Sequence, residues 1–342
     1  MRTAALLAAL ALGVAPAAAG ASAGPAPSSV ELGGSPVPDV STDPGNPVEL
    51  DAGLWRDTLG AGSSPQATHQ FRYTRRTELS TVHIGVVSSA AGESSDQVQV
   101  EASAPDGTTC GSDTGSSSSS YPGAPFGAGL VLQGADEDDF NSSCLRSGSI
   151  DFTVAQGSTS STAELPVAIK IVEEAPLDGE VSSLPAEPDP EPALSVPDPE
   201  GDPAPVEGTA AFGDAPLLED GSYADEGVEG RVRMYRVSLD WGQTLAARVD
   251  VPVMAPDLAE STYGFGPQVQ LSLLGPTRVP LGSHDDAEPT GSLDDEDAAV
   301  LTEATGPVRY RSRYASSAAY LPGDYWVAVS VGTTSDEAYR DR

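Results

Sequence analysis

A proline-rich acidic break divides this 342-residue chain into two patterned halves. Residues 176–207 hold nine prolines among acids, as in Glu187-Pro188-Asp189-Pro190-Glu191-Pro192, and no Lys or Arg occurs from Ile171 to Gly230. Such a stretch buries too little apolar surface to fold alone, and its prolines keep it extended at about 3.1 Å per residue. It predicts a semi-rigid, self-repelling linker that spaces two folding units, which the chain length also suggests.

The halves repeat one plan. Gly53-Leu54-Trp55-Arg56-Asp57 leads to Phe71-Arg72-Tyr73, then Val82, Ile84 and Val86 alternate; Gly221-Ser222-Tyr223-Ala224-Asp225 leads to Tyr235-Arg236-Val237, then Leu245, Val249 and Val251. Gln97-Val98-Gln99-Val100 matches Gln268-Val269-Gln270-Leu271, each with a proline turn at Pro105 or Pro276, and Val167 to Ile171 is matched to Val327 to Val331. Gly53 and Gln97 lie 44 positions apart, Gly221 and Gln268 47. The spacing then diverges, 70 positions against 59, in the copy that carries both cysteines. Period-two alternation punctuated by Gly and Pro argues for antiparallel strands with one wet face. With 36 Gly and 30 Pro and no long helical stripe, the expected fold is all-β. It consists of two tandem antiparallel β-sandwich, jelly-roll-like domains, at 47–175 and 208–342, joined by the linker. Residues 24–46, rich in Gly, Pro and Ser, read as a disordered leader.

Residues 1–23 read as an export signal. Arg2 precedes the small-apolar run Ala4 to Val14, and Ala21-Ser22-Ala23 offers a cleavage pattern that leaves Gly24 as the new N-terminus. The run is too short to span a bilayer, and no second stretch of spanning length follows. Export permits disulfides, so the two cysteines, Cys110 and Cys144, are expected to form one bridge. A redox or metal role finds no support in a CxxC spacing or a nearby histidine.

Asp plus Glu number 51 against 17 for Lys plus Arg, a net charge of -34, which excludes a nucleic-acid binder steered by a basic surface. Gly20-Ala21-Ser22-Ala23-Gly24 matches GxSxG but lies in the export signal, away from any strand-to-helix elbow. His69, His83 and His284 stand alone, and no HExxH, P-loop or dinucleotide fingerprint occurs. The chain is therefore expected not to be an enzyme and to need no cofactor or metal. Asp136 to Asp139 and Asp294 to Asp297 lack EF-hand spacing and read as solvated loops rather than calcium sites. Arg75-Arg76 and the alternating Arg309, Arg311 and Arg313 are the cationic clusters, the latter expected on one face of a strand, where they meet acidic loops or an anionic or polysaccharide ligand. Asn141-Ser142-Ser143 matches a glycosylation sequon.

The run Tyr235 to Leu245, YRVSLDWGQTL, and Leu321-Pro322-Gly323-Asp324-Tyr325-Trp326 resemble motifs of uncharacterised secreted or membrane-anchored actinobacterial envelope proteins. Those proteins carry paired β-domains similar to the bacterial pre-peptidase C-terminal domain, relatives of which follow von Willebrand factor A modules. The resemblance spans residues 48–342, carries no catalytic residues, and implies a secreted or cell-envelope protein. Its expected function is a non-catalytic interaction, adhesion or structural module, with an envelope protein or polysaccharide as partner. The alternative is an accessory or targeting module of a secreted hydrolase system. Members usually continue through a last strand, a polar spacer and a membrane helix, whereas this sequence stops at Asp341-Arg342. The expectation is a truncated second domain with Tyr325 to Val331 left as an open edge and the membrane anchor in a missing segment.

Overall fold

Runs of β-branched and aromatic residues with period two form strands throughout, because alternate side chains then bury on one face. The computed structural model describes residues 5–13 and 29–333, except 90–95, 119, 122, 134–142, 158–160, 187–195, 197–200, 255–264, 284–286, 295 and 315–318. In chain order the strands are β1 (Ala5–Gly13), β2 (Ser35–Pro36), β3 (Val48–Glu49), β4 (Gly53–Leu59), β5 (Thr68–Thr74), β6 (Thr81–Ser89), β7 (Gln97–Ser103), β8 (Thr109–Ser116), β9 (Pro125–Leu132), β10 (Ser149–Gln156) and β11 (Leu165–Glu174). They continue as β12 (Ala204–Pro205), β13 (Gly221–Glu226), β14 (Val232–Leu239), β15 (Thr244–Val251), β16 (Phe265–Leu274), β17 (Thr290–Asp294), β18 (Ala299–Ala304) and β19 (Gly323–Val331). Among the described residues, helix is confined to one α-turn, α1 (Ser143–Arg146), and three short 3-10 turns. No helix among them is long and apolar enough to cross a membrane.

Four sheets result: sheet I is β3-β5-β10-β7-β8, sheet II β2-β4-β11-β6-β9, sheet III β14-β19-β16-β17 and sheet IV β12-β13-β1-β15-β18. They stack in that order. Phe71, Val100 and Phe152 of sheet I meet Ile84, Val86 and Ile169 of sheet II in one core. Tyr325, Val329 and Leu271 of sheet III meet Leu245, Val249 and Leu301 of sheet IV in another. Between them Val87 and Ala168 of sheet II face Met234, Trp326 and Ala328 of sheet III in a third. The halves are thus docked, which corrects the expectation that the linker spaces them apart. Its flanks are held as well: Val181 is buried, and Ala204–Pro205 pairs with β13.

The sheets match strand for strand. The order β4-β11-β6-β9 in sheet II recurs as β13-β1-β15-β18 in sheet IV, and β5-β10-β7-β8 in sheet I recurs as β14-β19-β16-β17 in sheet III. Local contacts repeat too. Trp55 Nε1 donates to the Asp51 carbonyl at 2.9 Å, and the Tyr223 hydroxyl donates to the Glu219 carbonyl at 3.0 Å. The paired positions Asp57 and Asp225 each meet a buried side chain from the next strand, His69 Nδ1 and the Tyr235 hydroxyl, both at 2.6 Å.

This correspondence corrects the last step of the sequence match. β19 takes the place of β10, not of β11, because alternating aliphatic residues mark a strand face and not its position in a sheet. β19 is paired on both sides, by β14 and β16, so Tyr325 to Val331 is no open edge. The position held by β11 in the first repeat is filled in the second by β1, which runs parallel to both neighbours.

The N-terminal segment differs from expectation as well. From residue 29 to 46 the chain is ordered against the fold, with Val30 and Leu32 buried, Glu31 N–H bonded to the Ala210 carbonyl at 2.7 Å, and β2 beside β4. The two apolar residues flank one acid, a short period-two pattern that a Gly-, Pro- and Ser-rich composition conceals.

Candidate functional site

The docked faces meet along β6, which is buried over its whole length. Val82, Ile84 and Val86 enter the first core, so His83, Gly85 and Val87 must point to the other side. Gly85 and Gly129 are cross-strand partners on β6 and β9, and the turn from Gly275 to Val279 sits over them. A Cβ on Gly85 would come within 2.3 Å of the Thr277 carbonyl oxygen, so the seat requires glycine. Within that turn Arg278, at φ +67, donates to the Leu32 carbonyl and lies 4.6 Å above the Phe212 ring and 5.4 Å from that of Trp326. Burial lowers the Arg278 guanidinium to about 10, which leaves it cationic at neutral pH.

A polar node closes the other end of the interface. His83 Nε2 lies 3.2 Å from Glu174 Oε2, and Arg313 Nη1 forms an ion pair with the same oxygen at 2.7 Å. The His83 ring stacks on Tyr320 at 5.6 Å, and the Arg313 guanidinium sits 3.4 Å over Tyr310. Burial, with Arg313 adding to it, lowers the His83 pKa against the pull of Glu174. Burial would raise Glu174, but hydrogen bonds and charge from His83 and Arg313 override it and lower it. Both groups therefore hold fewer protons folded than unfolded. Their contribution is full above the ordinary histidine value of 6.5 and declines as pH falls, first through the His83 window and then through that of Glu174. Thermal melts should show the loss as pH falls below about 6.5, and His83→Gln should remove the part that sets in first.

A second polar cluster binds the first repeat together. Cys110 on β8 is bonded to Cys144 on α1, with 5.5 Å between Cα atoms, as the sequence predicts. Beside it Arg75 is buried and donates to the carbonyls of Ser80, Cys144 and Ser147. It is therefore an internal tie and not part of a surface cation pair, while Arg76 reaches Asp51 at 3.3 Å. Partial burial would raise the Glu173 carboxyl. Hydrogen bonds from Ser80, Tyr73 and the backbone N–H groups of Thr77 and Arg76 outweigh this and hold it at about 2. A carboxylate depressed in this way stabilises the fold above its unfolded value, near 4.5, and the benefit is lost as pH falls towards 2. Glu173→Gln should cost about 2 kcal/mol at neutral pH and flatten that acid limb, as read by denaturant titrations across the range.

The other residues singled out in the sequence fall as follows. Arg309, Arg311 and Arg313 lie in and beside a 3-10 turn, Tyr310–Tyr314, and not on a strand. The tight turn forms because Ser312 N–H reaches the Arg309 carbonyl at 3.1 Å. From it Arg309 and Arg311 reach the carbonyls of Ala186 and Leu184. His69, like His83, is buried in a carboxylate pair. His284, Asp136 to Asp139, Asn141 and Ser142 lie outside the described residues, as does Asp295 of the second acidic run. Sequence reasoning passed over an open groove of about 610 Å³ beside β2 and β4, lined by Val30, Val37, Val40, Arg56, Thr58 and Pro166 among others. The signal for it was faint, since the N-terminal part of its wall comes from a segment with disordered composition.

A comparison of the sequence with protein-family models finds no match, and a comparison with curated proteins finds none. Among solved structures, the chain is 10% identical to the PBSX exported protein XepA, covering 81% of this chain and 84% of that one, with a TM-score of 0.21. It is 9% identical to a protein of Parabacteroides distasonis described as secreted, covering 88% and 86%, with a TM-score of 0.19. Likeness at this level carries no functional argument.

Proposed function

We propose that this chain is a non-catalytic interaction module of the cell envelope or extracellular space, built from two tandem jelly-roll-like β-sandwich domains docked on one another. The observation that carries the reading is the groove beside β2 and β4, an open mixed surface with Val40 53% exposed at its rim. Backbone edge and aliphatic side chains together suit an extended polypeptide or polymer ligand. The bridge between Cys110 and Cys144 fits an oxidising compartment. His69 and His83, each at most 1% exposed, are poorly placed to reach a substrate proton. Trp241 is the one aromatic among the large exposed apolar side chains of the described residues, which favours this reading over a carbohydrate-targeting module of a hydrolase.

Co-sedimentation of the chain lacking residues 1–23 with isolated bacterial cell envelopes tests it. The expected result is saturable binding that Val40→Asp reduces about tenfold, the effect of placing a charge in an apolar contact. Absence of sedimentation at micromolar protein, or release of soluble hydrolysis products from the envelopes, would overturn the reading.

A further inference from the structure

The second repeat takes seven of its strand positions from residues 221–331 and fills the eighth with β1. In the first repeat the same position belongs to β11, antiparallel to β4 and β6. β1 instead runs parallel to β13, from Ala8 opposite Gly221 to Gly13 opposite Glu226, and parallel to β15, from Ala5 opposite Thr244 to Ala11 opposite Asp250. Parallel ladders are the weaker kind. The whole of β1 also lies within residues 1–23, the stretch with the composition of an export signal. Removing it leaves β13 and β15 about 9.5 Å apart, twice the usual strand spacing, with two facing rows of unpaired backbone groups.

We propose that this gap is an acceptor site for one strand of a partner protein. The leader occupies it until export, and a partner strand then enters antiparallel to β13 and β15. The inference rests on reading the chain as an exported interaction module. The chemistry of the incoming strand follows from the two segments that hold this position. β1 is ALLAALALG, without a charged or polar side chain. β11 sends Leu165, Val167, Ile169 and Ile171 into the first core and turns Ala168 and Lys170 to its opposite face. The partner segment is therefore extended, about eight residues long, aliphatic at alternate positions and free of proline in its middle. Its inward side chains join the core that contains Leu245, Val249 and the partly buried Tyr223. A second copy is a poor source. Among the described residues, the strands with that alternation are already in sheets, and the copy's own leader is removed with export.

Hydrogen exchange on the chain lacking residues 1–23 tests this, with the peptide LPVAIKIVEE, the sequence of Leu165–Glu174, as the added strand. Without peptide, the amides of β13 and β15 should exchange at least about tenfold faster than those of β4 and β6; with peptide they should slow by about tenfold. The same peptide with Ile169→Pro should give no protection. As a second measurement, fusing that sequence after residue 333 through a flexible loop should give a monomer with a higher melting temperature than the unfused chain. Equal protection of β13 and β15 without peptide would show that the gap closes on itself and overturn the proposal. Dimers that persist in the presence of peptide would overturn it in favour of a second copy. Envelope binding that remains sensitive to Val40→Asp while the peptide gives no protection would sink the acceptor alone, and the reverse pattern would sink the groove reading alone.

Discussion

Gly85→Val is expected to part the two halves of the molecule while leaving each folded. The added side chain would meet the Thr277 carbonyl within 2.3 Å, and its neighbours there are that backbone and the β-branched side chains of Thr277 and Val279, none of which can swing away. Overpacking of this sort costs about 1 to 3 kcal/mol. Here relief is available by withdrawing the turn from Gly275 to Val279, which takes Arg278 off Phe212 and Trp326 and opens the middle core. The variant should show a larger hydrodynamic radius and two unfolding transitions in place of one. Limited proteolysis should cut within the segment between Ala186 and Asp202 and release two stable fragments, where the parent chain resists separation. Gly148→Ala is the control: nothing lies within 4 Å of its new Cβ, and it should behave as the parent. A Gly85→Val protein that melts in a single step at the parent temperature would show that the halves hold together by something other than this seat.

Removing the disulfide should have an effect of similar size with a different signature. Cys110→Ala with Cys144→Ala opens a 34-residue separation, worth about 3 to 4 kcal/mol by chain entropy. It also frees α1, whose Cys144 carbonyl is one of the acceptors that hold Arg75. For a unit of this size that corresponds to a fall of roughly 10 °C in Tm. Because the repeats share a core, the second should lose stability along with the first in the intact protein. In the Gly85→Val background the same double substitution should lower only the transition of the first repeat. Calorimetry on the four combinations reads this directly, and equal shifts in both backgrounds would argue against docking as the source of coupling.

Much of the first repeat's core could be read from the sequence. Val82, Ile84 and Val86 alternate cleanly, as do Val98 and Val100, and all five are buried where alternation puts them. Two cysteines in one half leave a single pairing, and that pairing forms. Alternation says nothing about the opposite face, however, and docking lives on that face. His83, Gly85 and Val87 carry no charge at neutral pH, so the legible sign that the second face of sheet II is covered was confined to β6; on β11 the same face carries Lys170 beside Ala168. Val30 and Leu32 went unread because two residues are too few to set a period. The shift from β11 to β10 as the counterpart of β19 was beyond any local pattern, since partner choice in a sheet is decided by long-range pairing. The polar contacts at Glu174, Arg313 and Arg278 join positions far apart in the chain, and spacing alone does not reveal them.

The order of the four sheets gives the molecule a direction. Two equal units joined face to face by a two-fold axis would present identical ends; here the second face of sheet II meets the face of sheet III that corresponds to the outer face of sheet I, a head-to-tail joint. Joints of that type have no built-in stop and propagate into filaments when the end faces resemble the buried ones. They do not resemble them in this chain. Where sheet III offers Met234, Trp326 and Ala328, sheet I offers Gln70, the Arg72–Asp151 ion pair and Thr153. Where β6 of sheet II offers Val87, β15 of sheet IV offers the Arg248–Asp250 pair, with Thr302 of β18 opposite Arg248. The same backbone plan is thus extended once, and charged and polar side chains on β5, β10, β15 and β18 keep the outer faces from repeating the buried joint.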